Sequence, residues 1–334
     1  MAPQFVEFSG DRHLDIVTAT FDGSAHVAFG SEGGFLAPEH ILDSKGHRVL
    51  LAQYWDYERK DWLENAKQPK GHCTSAVAFD WDGDGDLDLL LGSYGDGQLY
   101  RQMNEGKAGA PQFTGVNLPI SAGGQPLRVA GGITTPQLVD WNGDGLTDIL
   151  CGGFGDSYGD GPGGGVWVYL NCGAAKSPSF DAPITLIPTS PKGAKQPTRP
   201  DSALYAHAVD YDADGDLDLI VGGYSHWSPP ARSLSEAEQT RVLELQRQIE
   251  GVEERVAKLY AAVEKGLEAA TPEAQSAAID KLFESPEFLE AQAELQRLHA
   301  ELDGLVPSDK REAFVWYYER STASQSTTKT TGTF

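Results

Sequence analysis

The chain has 334 residues and carries 49 Asp and Glu against 26 Lys and Arg, a net charge of −23. A surface this acidic repels phosphate backbones and anionic lipid headgroups, which argues against a nucleic-acid or polybasic-membrane role. No run approaches the ~18 apolar residues that span a bilayer, and Cys73, Cys151 and Cys172 are an odd set without the CxxC spacing of a zinc ribbon.

From the N-terminus, EFSGDRHLD at 7–15 opens a series of four related nonapeptides. DWDGDGDLD at 80–88, DWNGDGLTD at 140–148 and DYDADGDLD at 210–218 follow. Oxygen side chains at positions 1, 3, 5 and 9, with a backbone carbonyl at 7, supply the oxygens that a hard Ca²⁺ ion takes. The expected ligands are Asp80, Asp82, Asp84, Asp86 and Asp88; Asp140, Asn142, Asp144, Leu146 and Asp148; and Asp210, Asp212, Asp214, Asp216 and Asp218. Gly85, Gly145 and Gly215 stand at position 6, where the chain reverses around the ion. The first copy is weaker: Glu7, Ser9, Asp11, His13 and Asp15 keep the register, but position 6 is Arg12.

Position 12 is Leu91, Cys151 and Val221 instead of the glutamate of an EF-hand, and each loop runs into a short apolar segment ending in glycine (87–92, 147–152, 217–222). These read as buried strands, so the loops join strands rather than helices. A further strand follows each one, at 26–29, 98–101 and 166–170. MNEGKAGAPQFTGVNLPI at 103–120 is echoed by LNCGAAKSPSFDAPITLIP at 170–188. First ligands at 7, 80, 140 and 210 leave room for a four-stranded unit per repeat. The glycine-rich stretch at 159–165 enters a strand and not a helix, so it reads as a loose hairpin tip rather than a phosphate cradle. Cys151 and Cys172 are expected on adjacent strands, as buried free thiols.

The fourth repeat is interrupted: its next strand appears only at Phe314–Tyr318, after a helical stretch. Ser235 and Glu238 form a capping box, and Leu245, Ile249, Val252, Val256, Leu259, Val263 and Leu267 step along one helix face. Thr271-Pro272 and Ser285-Pro286 are helix starts, Gly304 and Pro307 mark the last stop, and Leu295, Leu298 and Leu302 zip the returning helix. The expected organisation is repeats 1–4 over 1–230, a coiled-coil-like helical hairpin at 233–306, a returning strand at 312–320, and a Ser/Thr-rich flexible tail at 321–334.

The nonapeptides and their strand context resemble the FG-GAP/VCBS repeat family of calcium-binding β-propellers, known from integrin α-subunit heads and secreted bacterial proteins, over residues 5–230 and 312–320. The resemblance implies an all-β propeller of at least four four-stranded blades with DxDxDGxxD calcium loops, here carrying an inserted α-helical hairpin. It implies three Ca²⁺ ions, a fourth at 7–15, and an extracellular or periplasmic setting, with an export signal removed from this sequence.

At the end opposite the calcium loops, connections rich in aromatic and ionisable groups gather. Trp55, Trp62 and His72 lie in the segment 44–75, with Tyr94, Asp96, Phe154, Asp156, Tyr224, His226 and Trp227 on later turns and Arg199, Asp201, Tyr205 and His207 before the last repeat. Aromatic faces beside carboxylates and imidazoles suit a sugar, so Trp55, His72, Tyr94, Asp96, Asp156, Tyr224, His226 and Trp227 are the candidate ligand-binding residues. Three function classes follow: a binding or scaffold module for a glycan or protein partner, which is the leading reading; a carbohydrate-active lyase or dehydratase with His72, His207 and His226 as catalytic candidates; and an assembly protein joined through its helical arm.

Overall fold

The computed structural model describes residues 3–64, 71–107, 109–156, 161–191, 194–265 and 272–321. Leu267, Thr271, Gly159, Asp160 and the tail beyond Ser321 lie outside them. The chain forms two compact units, one running to His226 and resuming at Arg311, the other Trp227–Lys310.

The larger unit is built from small antiparallel sheets. Sheet one joins β1 (Gln4–Val6), β2 (Asp15–Ala19), β3 (Ala25–Ala28) and β4 (Glu39–His40). Sheet two joins β5 (Cys73–Phe79), β6 (Asp88–Ser93), β7 (Leu99–Gln102) and β8 (Leu118–Pro119). Sheet three joins β9 (Thr134–Val139), β10 (Asp148–Gly153), β11 (Val166–Tyr169) and β12 (Ile184–Ile187). Among the described residues sheet four has three strands, β13 (Ser202–Val209), β14 (Asp218–Trp227) and β15 (Lys310–Tyr318), where four were expected.

In sheets two and three the second strand carries an apolar run because both of its faces are covered. Leu89 and Leu91 of β6 point into a core shared with Val17, Ala19, Ala25 and Val27 of sheet one. Leu90, one residue out of phase, points the other way, into a core with Ile149, Cys151, Trp167 and Tyr169 of sheet three. The same alternation sends Leu150 toward Leu204, Ala206, Leu219 and Val221 of sheet four. A period-two strand between two neighbours thus needs apolar residues at every position.

Each nonapeptide is the connection from a sheet's first strand to its second, and the register is the same four times. Val6 pairs with Asp15, Phe79 with Asp88, Val139 with Asp148 and Val209 with Asp218. The position-9 carboxylate is buried in every copy. One oxygen accepts the backbone N–H of loop position 2: Phe8 to Asp15 at 2.9 Å, Trp81 to Asp88 at 2.9 Å, Trp141 to Asp148 at 2.9 Å and Tyr211 to Asp218 at 3.3 Å. The other accepts an N–H from the residue leaving the third strand: Gly30, Asn104, Asn171 and Arg320, at 2.6–2.9 Å. In sheets two and three that residue is an asparagine whose Oδ1 caps a turn. Asn104 accepts from Gly106 and Gln112, and Asn171 accepts from Gly173 and Ser179, which explains the echoed text at 103–120 and 170–188.

Two cysteine and glycine expectations need correction. All three cysteines are free, but Cys172 lies past the end of β11 and is exposed, so only Cys73 and Cys151 are buried thiols. The glycines at 163–165 are not a loose tip: an added Cβ would fall 2.2 Å from the Asp201 carbonyl at Gly163 and 2.3 Å from the Gly153 carbonyl at Gly164. Glycine is there because backbone lies against backbone.

The smaller unit holds α1 (Glu236–Lys265), α2 (Pro272–Phe283) and α3 (Pro286–Leu305). Ser235 Oγ accepts from Glu238 N while Ser235 N donates to the Glu238 carboxylate at 2.8 Å, the reciprocal capping box. Leu245, Ile249 and Val252 of α1 pack on Ala291 and Leu298 of α3, with Arg241–Glu301 and Arg255–Glu294 ion pairs flanking the seam. Gly304 lies inside α3; the stop is Val306, in extended conformation, with Pro307 after it.

Truncating one position-9 carboxylate orphans two buried N–H groups at about 1–3 kcal/mol each. Asp148→Ala is therefore expected to lower unfolding stability by about 2–4 kcal/mol in chemical denaturation, with or without chelator. A loss below about 1 kcal/mol would contradict the bracing role.

Candidate functional site

The four nonapeptides share one backbone. Loop positions 4 and 6 both take positive φ in every copy: Gly83 and Gly85, Gly143 and Gly145, Ala213 and Gly215, and Gly10 and Arg12. Arg12 at 76° and Ala213 at 61° adopt the same turn without glycine, so the absent position-6 glycine does not prevent the first copy from forming the loop. Position 1 shapes the turn in each: Asp80 accepts from Gly83 and Gly85, Asp140 from Gly143 and Gly145, Asp210 from Asp214 and Gly215, and Glu7 from Arg12. The need for φ > 0 at position 4 was equally present in the sequence as a column of small residues.

Carboxylates converge within these loops. Ligand atoms of Asp80, Asp82 and Asp84 lie within 4.8 Å of one another, as do those of Asp210, Asp212 and Asp214. Burial together with Asp84, Asp88, Asp82 and Asp80 pushes the Asp86 carboxyl up to about 6. Burial and like charge also raise Asp212 and Asp216, and burial raises Asp88 and Asp148. One oxygen each of Asp86 and Asp216 is buried with no hydrogen-bond partner among the described residues. Hard oxygen donors, mutual repulsion and orphaned carboxylate oxygens fit a hard divalent cation such as Ca²⁺. Position 7 was expected to give only its backbone carbonyl; the stranded side-chain oxygens of Asp86 and Asp216 add a donor there.

The other ends of the sheets carry the remaining candidates. Trp55, Trp62, His72 and Tyr94 form one continuous cluster: Trp55 meets Trp62 edge-on at 5.9 Å, Trp62 tilts against His72 at 4.9 Å, and His72 stacks on Tyr94 at 4.3 Å. Burial holds the His72 imidazole below its ordinary range. Trp62 and Tyr94 remain 44% and 42% exposed, so the cluster offers two ring faces to solvent. Asp96 accepts from Gln98 N within its turn and faces Arg128 at 3.4 Å, and Asp156 accepts from Gly161 N.

His226 is placed differently. Its ring lies 2.9 Å from Ser202 Oγ, and its backbone N–H donates to Asp201 at 2.8 Å. Ser202 is fully buried, so this serine–histidine contact braces strands and presents no nucleophile. Tyr224 lies under the Arg311 guanidinium at 4.0 Å, and Trp227 ends β14. His207 lines a groove of about 430 Å³ formed by the first strands of all four sheets, with Gln4, Val77, Gln137 and Tyr205.

Among the described residues, the groupings able to hold a metal include none of His72, His207 and His226. They do include a trio that sequence reasoning passed over: Asp22, His26 and His40. Asp22 sits in the β2–β3 turn, in the same role as Asp96 in its own turn, each accepting the N–H two residues on. The Asp-x-x-x-His spacing was visible; that His40 pairs directly opposite His26 across β3 and β4 was not.

Comparison with known families bears on the loops. Residues 80–151 and 140–221 each match the FG-GAP-like repeat family, every match starting at a nonapeptide and ending in the second strand of the following sheet. Residues 80–221 thus match FG-GAP-like repeats. No curated protein matches it. Each FG-GAP-like match runs from the loop of one sheet into the second strand of the next, across the core between them. No helix among the described residues is long and apolar enough to cross a membrane.

Repulsion around Asp86 has a pH signature. Its carboxyl binds a proton more tightly folded, at about 6, than unfolded, near 3.8, so protonation stabilises the fold and that gain disappears as pH rises through about 6. In calcium-free protein, Asp86→Asn should raise the melting temperature at pH 7.5 and lose most of that advantage at pH 4. An equal difference at both pH values would contradict the crowding account.

Proposed function

We propose that the larger unit is a set of four calcium-stabilised propeller blades acting as an extracellular or periplasmic binding module, with a glycan as the ligand. The exposed aromatic cluster Trp55–Trp62–His72–Tyr94 carries this reading. Exposed flat rings stack against the CH faces of sugars, and Asp96, two residues past Tyr94 and 3.4 Å from Arg128, supplies with it partners for hydroxyls. FG-GAP-like repeats serve binding and scaffold roles generally, which agrees with it.

Calcium has a supporting part. The loops at 80–88, 140–148 and 210–218 would hold it through their position 1, 3, 5 and 9 side chains and a position-7 oxygen, and the loop at 7–15 would hold it more weakly, with fewer carboxylates. A bound ion would cancel the repulsion that each loop otherwise bears, and so stiffen the strands on either side of it. Chelation is expected to lower the melting temperature by several degrees, and restored calcium to return it; an unchanged melt would refute the role.

The glycan reading is tested on an array of neutral and acidic polysaccharides in saturating calcium. Trp62→Ala and Tyr94→Ala should each weaken binding by about 10-fold, in keeping with ~1–2 kcal/mol per stacked ring. No binding to any polysaccharide, or binding untouched by both substitutions, would overturn it.

A further inference from the structure

At the β2–β3 turn a buried carboxylate oxygen faces two imidazoles with nothing between them. Asp22 is 3% exposed. Its Oδ1 accepts three hydrogen bonds, from Thr20 Oγ1 at 2.6 Å, Ser24 Oγ at 2.8 Å and Ser24 N at 3.0 Å. Its Oδ2 is buried and has no hydrogen-bond partner among the described residues. That oxygen points between His26 Nε2 at 3.5 Å and His40 Nδ1 at 3.8 Å. The two rings lie 4.3 Å apart, and the three ligand atoms are all within 4.8 Å of one another.

We propose that Asp22, His26 and His40 form a site for a divalent first-row transition ion of the zinc type, distinct from the calcium loops. Ligands about 2.0–2.2 Å from a tetrahedral zinc sit ~3.3–3.6 Å apart, so Asp22 and His26 already stand at ligand spacing, and His40 is a few tenths of an ångström beyond it from Asp22 and within 4.8 Å of both. The surroundings prepare Asp22 and His26, while His40 Nδ1 also lies 3.2 Å from Ser24 Oγ, a contact that a bound ion would replace. His26 Nδ1 lies 3.1 Å from the Ser24 carbonyl, which can only accept, so the ring proton sits there and the Nε2 lone pair faces Asp22. Three hydrogen bonds fix the carboxylate through Oδ1 and leave Oδ2 for the ion. His26 and His40 are cross-strand partners, so their relative position is set by backbone pairing. Two imidazoles and one carboxylate are a borderline-soft donor set that suits zinc over calcium. The side chain of His40 is 27% exposed, which gives the ion entry and leaves room for a water as fourth ligand.

The site also touches the aromatic cluster, because Trp55 N donates to the Asp22 carbonyl at 2.7 Å. An ion held here would brace the turn on which that cluster rests. This inference does not depend on the glycan reading.

The test uses the full chain in saturating calcium, which fills the hard-oxygen loops, after transition ions are removed with phenanthroline. Titration with Co²⁺ should give one ion per chain with visible ligand-field absorption, displaced by Zn²⁺. His40→Ala and His26→Ala should each weaken Co²⁺ binding by at least about 10-fold and abolish the absorption. His47→Ala, on an exposed histidine 3.4 Å from Asp43, should leave both unchanged. Circular dichroism verifies that each variant is folded. Absence of stoichiometric Co²⁺ uptake by the unaltered chain, or uptake that survives in folded His26→Ala and His40→Ala, would overturn the proposal and leave only close Asp–His contacts.

Discussion

At the foot of each sheet a single buried carboxylate holds three stretches of chain together. Asp15, Asp88, Asp148 and Asp218 take the N–H of their own loop with one oxygen and the N–H leaving the third strand with the other. In sheet four the third strand returns only after the helical unit, and it still finds the same oxygens: Arg320 N and the Tyr317 hydroxyl both donate to Asp218. A residue about a hundred positions away thus closes the same arrangement that Gly30 closes from fifteen. The insertion is tolerated because what the sheet needs from β15 is a strand and one N–H, and neither depends on the length of the connection.

That brace carries a consequence for the loop above it. In the loops at 80–88 and 210–218, carboxylates at positions 1, 3, 5 and 7 are drawn over an anchored, buried carboxylate, and the charge accumulates where Asp86 and Asp216 have an oxygen with no partner among the described residues. The opposite ends of the sheets are built on another principle. There Asp22 and Asp96 each give one oxygen to a local N–H group, and the outward surface is left to rings and imidazoles. The sheets therefore separate an end that concentrates negative charge from an end that presents aromatic faces.

The repeats were legible because their requirements are local. Nine residues encode the loop, and an apolar run encodes a strand covered on both faces, as Leu89, Leu90 and Leu91 demonstrate by pointing into two different cores. The first nonapeptide was harder to read, since Arg12 occupies a left-handed position that glycine normally marks. Contacts across the fold were hidden. Nothing in the linear text places His40 opposite His26, sets Gly163 against the Asp201 carbonyl, or sends His207 into the groove of first strands while His226 faces Ser202. The candidate aromatics divided for the same reason: Trp55, His72 and Tyr94 meet through tertiary packing, whereas Tyr224 is covered by an arginine from the strand beyond the helices.

Native mass spectrometry of the intact chain, exchanged into a volatile buffer with calcium, counts the bound ions directly. Three calcium ions per chain, with a fourth at higher concentration, are the expected result, and Asp84→Ala, Asp144→Ala and Asp214→Ala should each remove one. A chain that keeps its fold and takes up no calcium would contradict the account, because the crowded carboxylates would then be stable without the cation their geometry calls for.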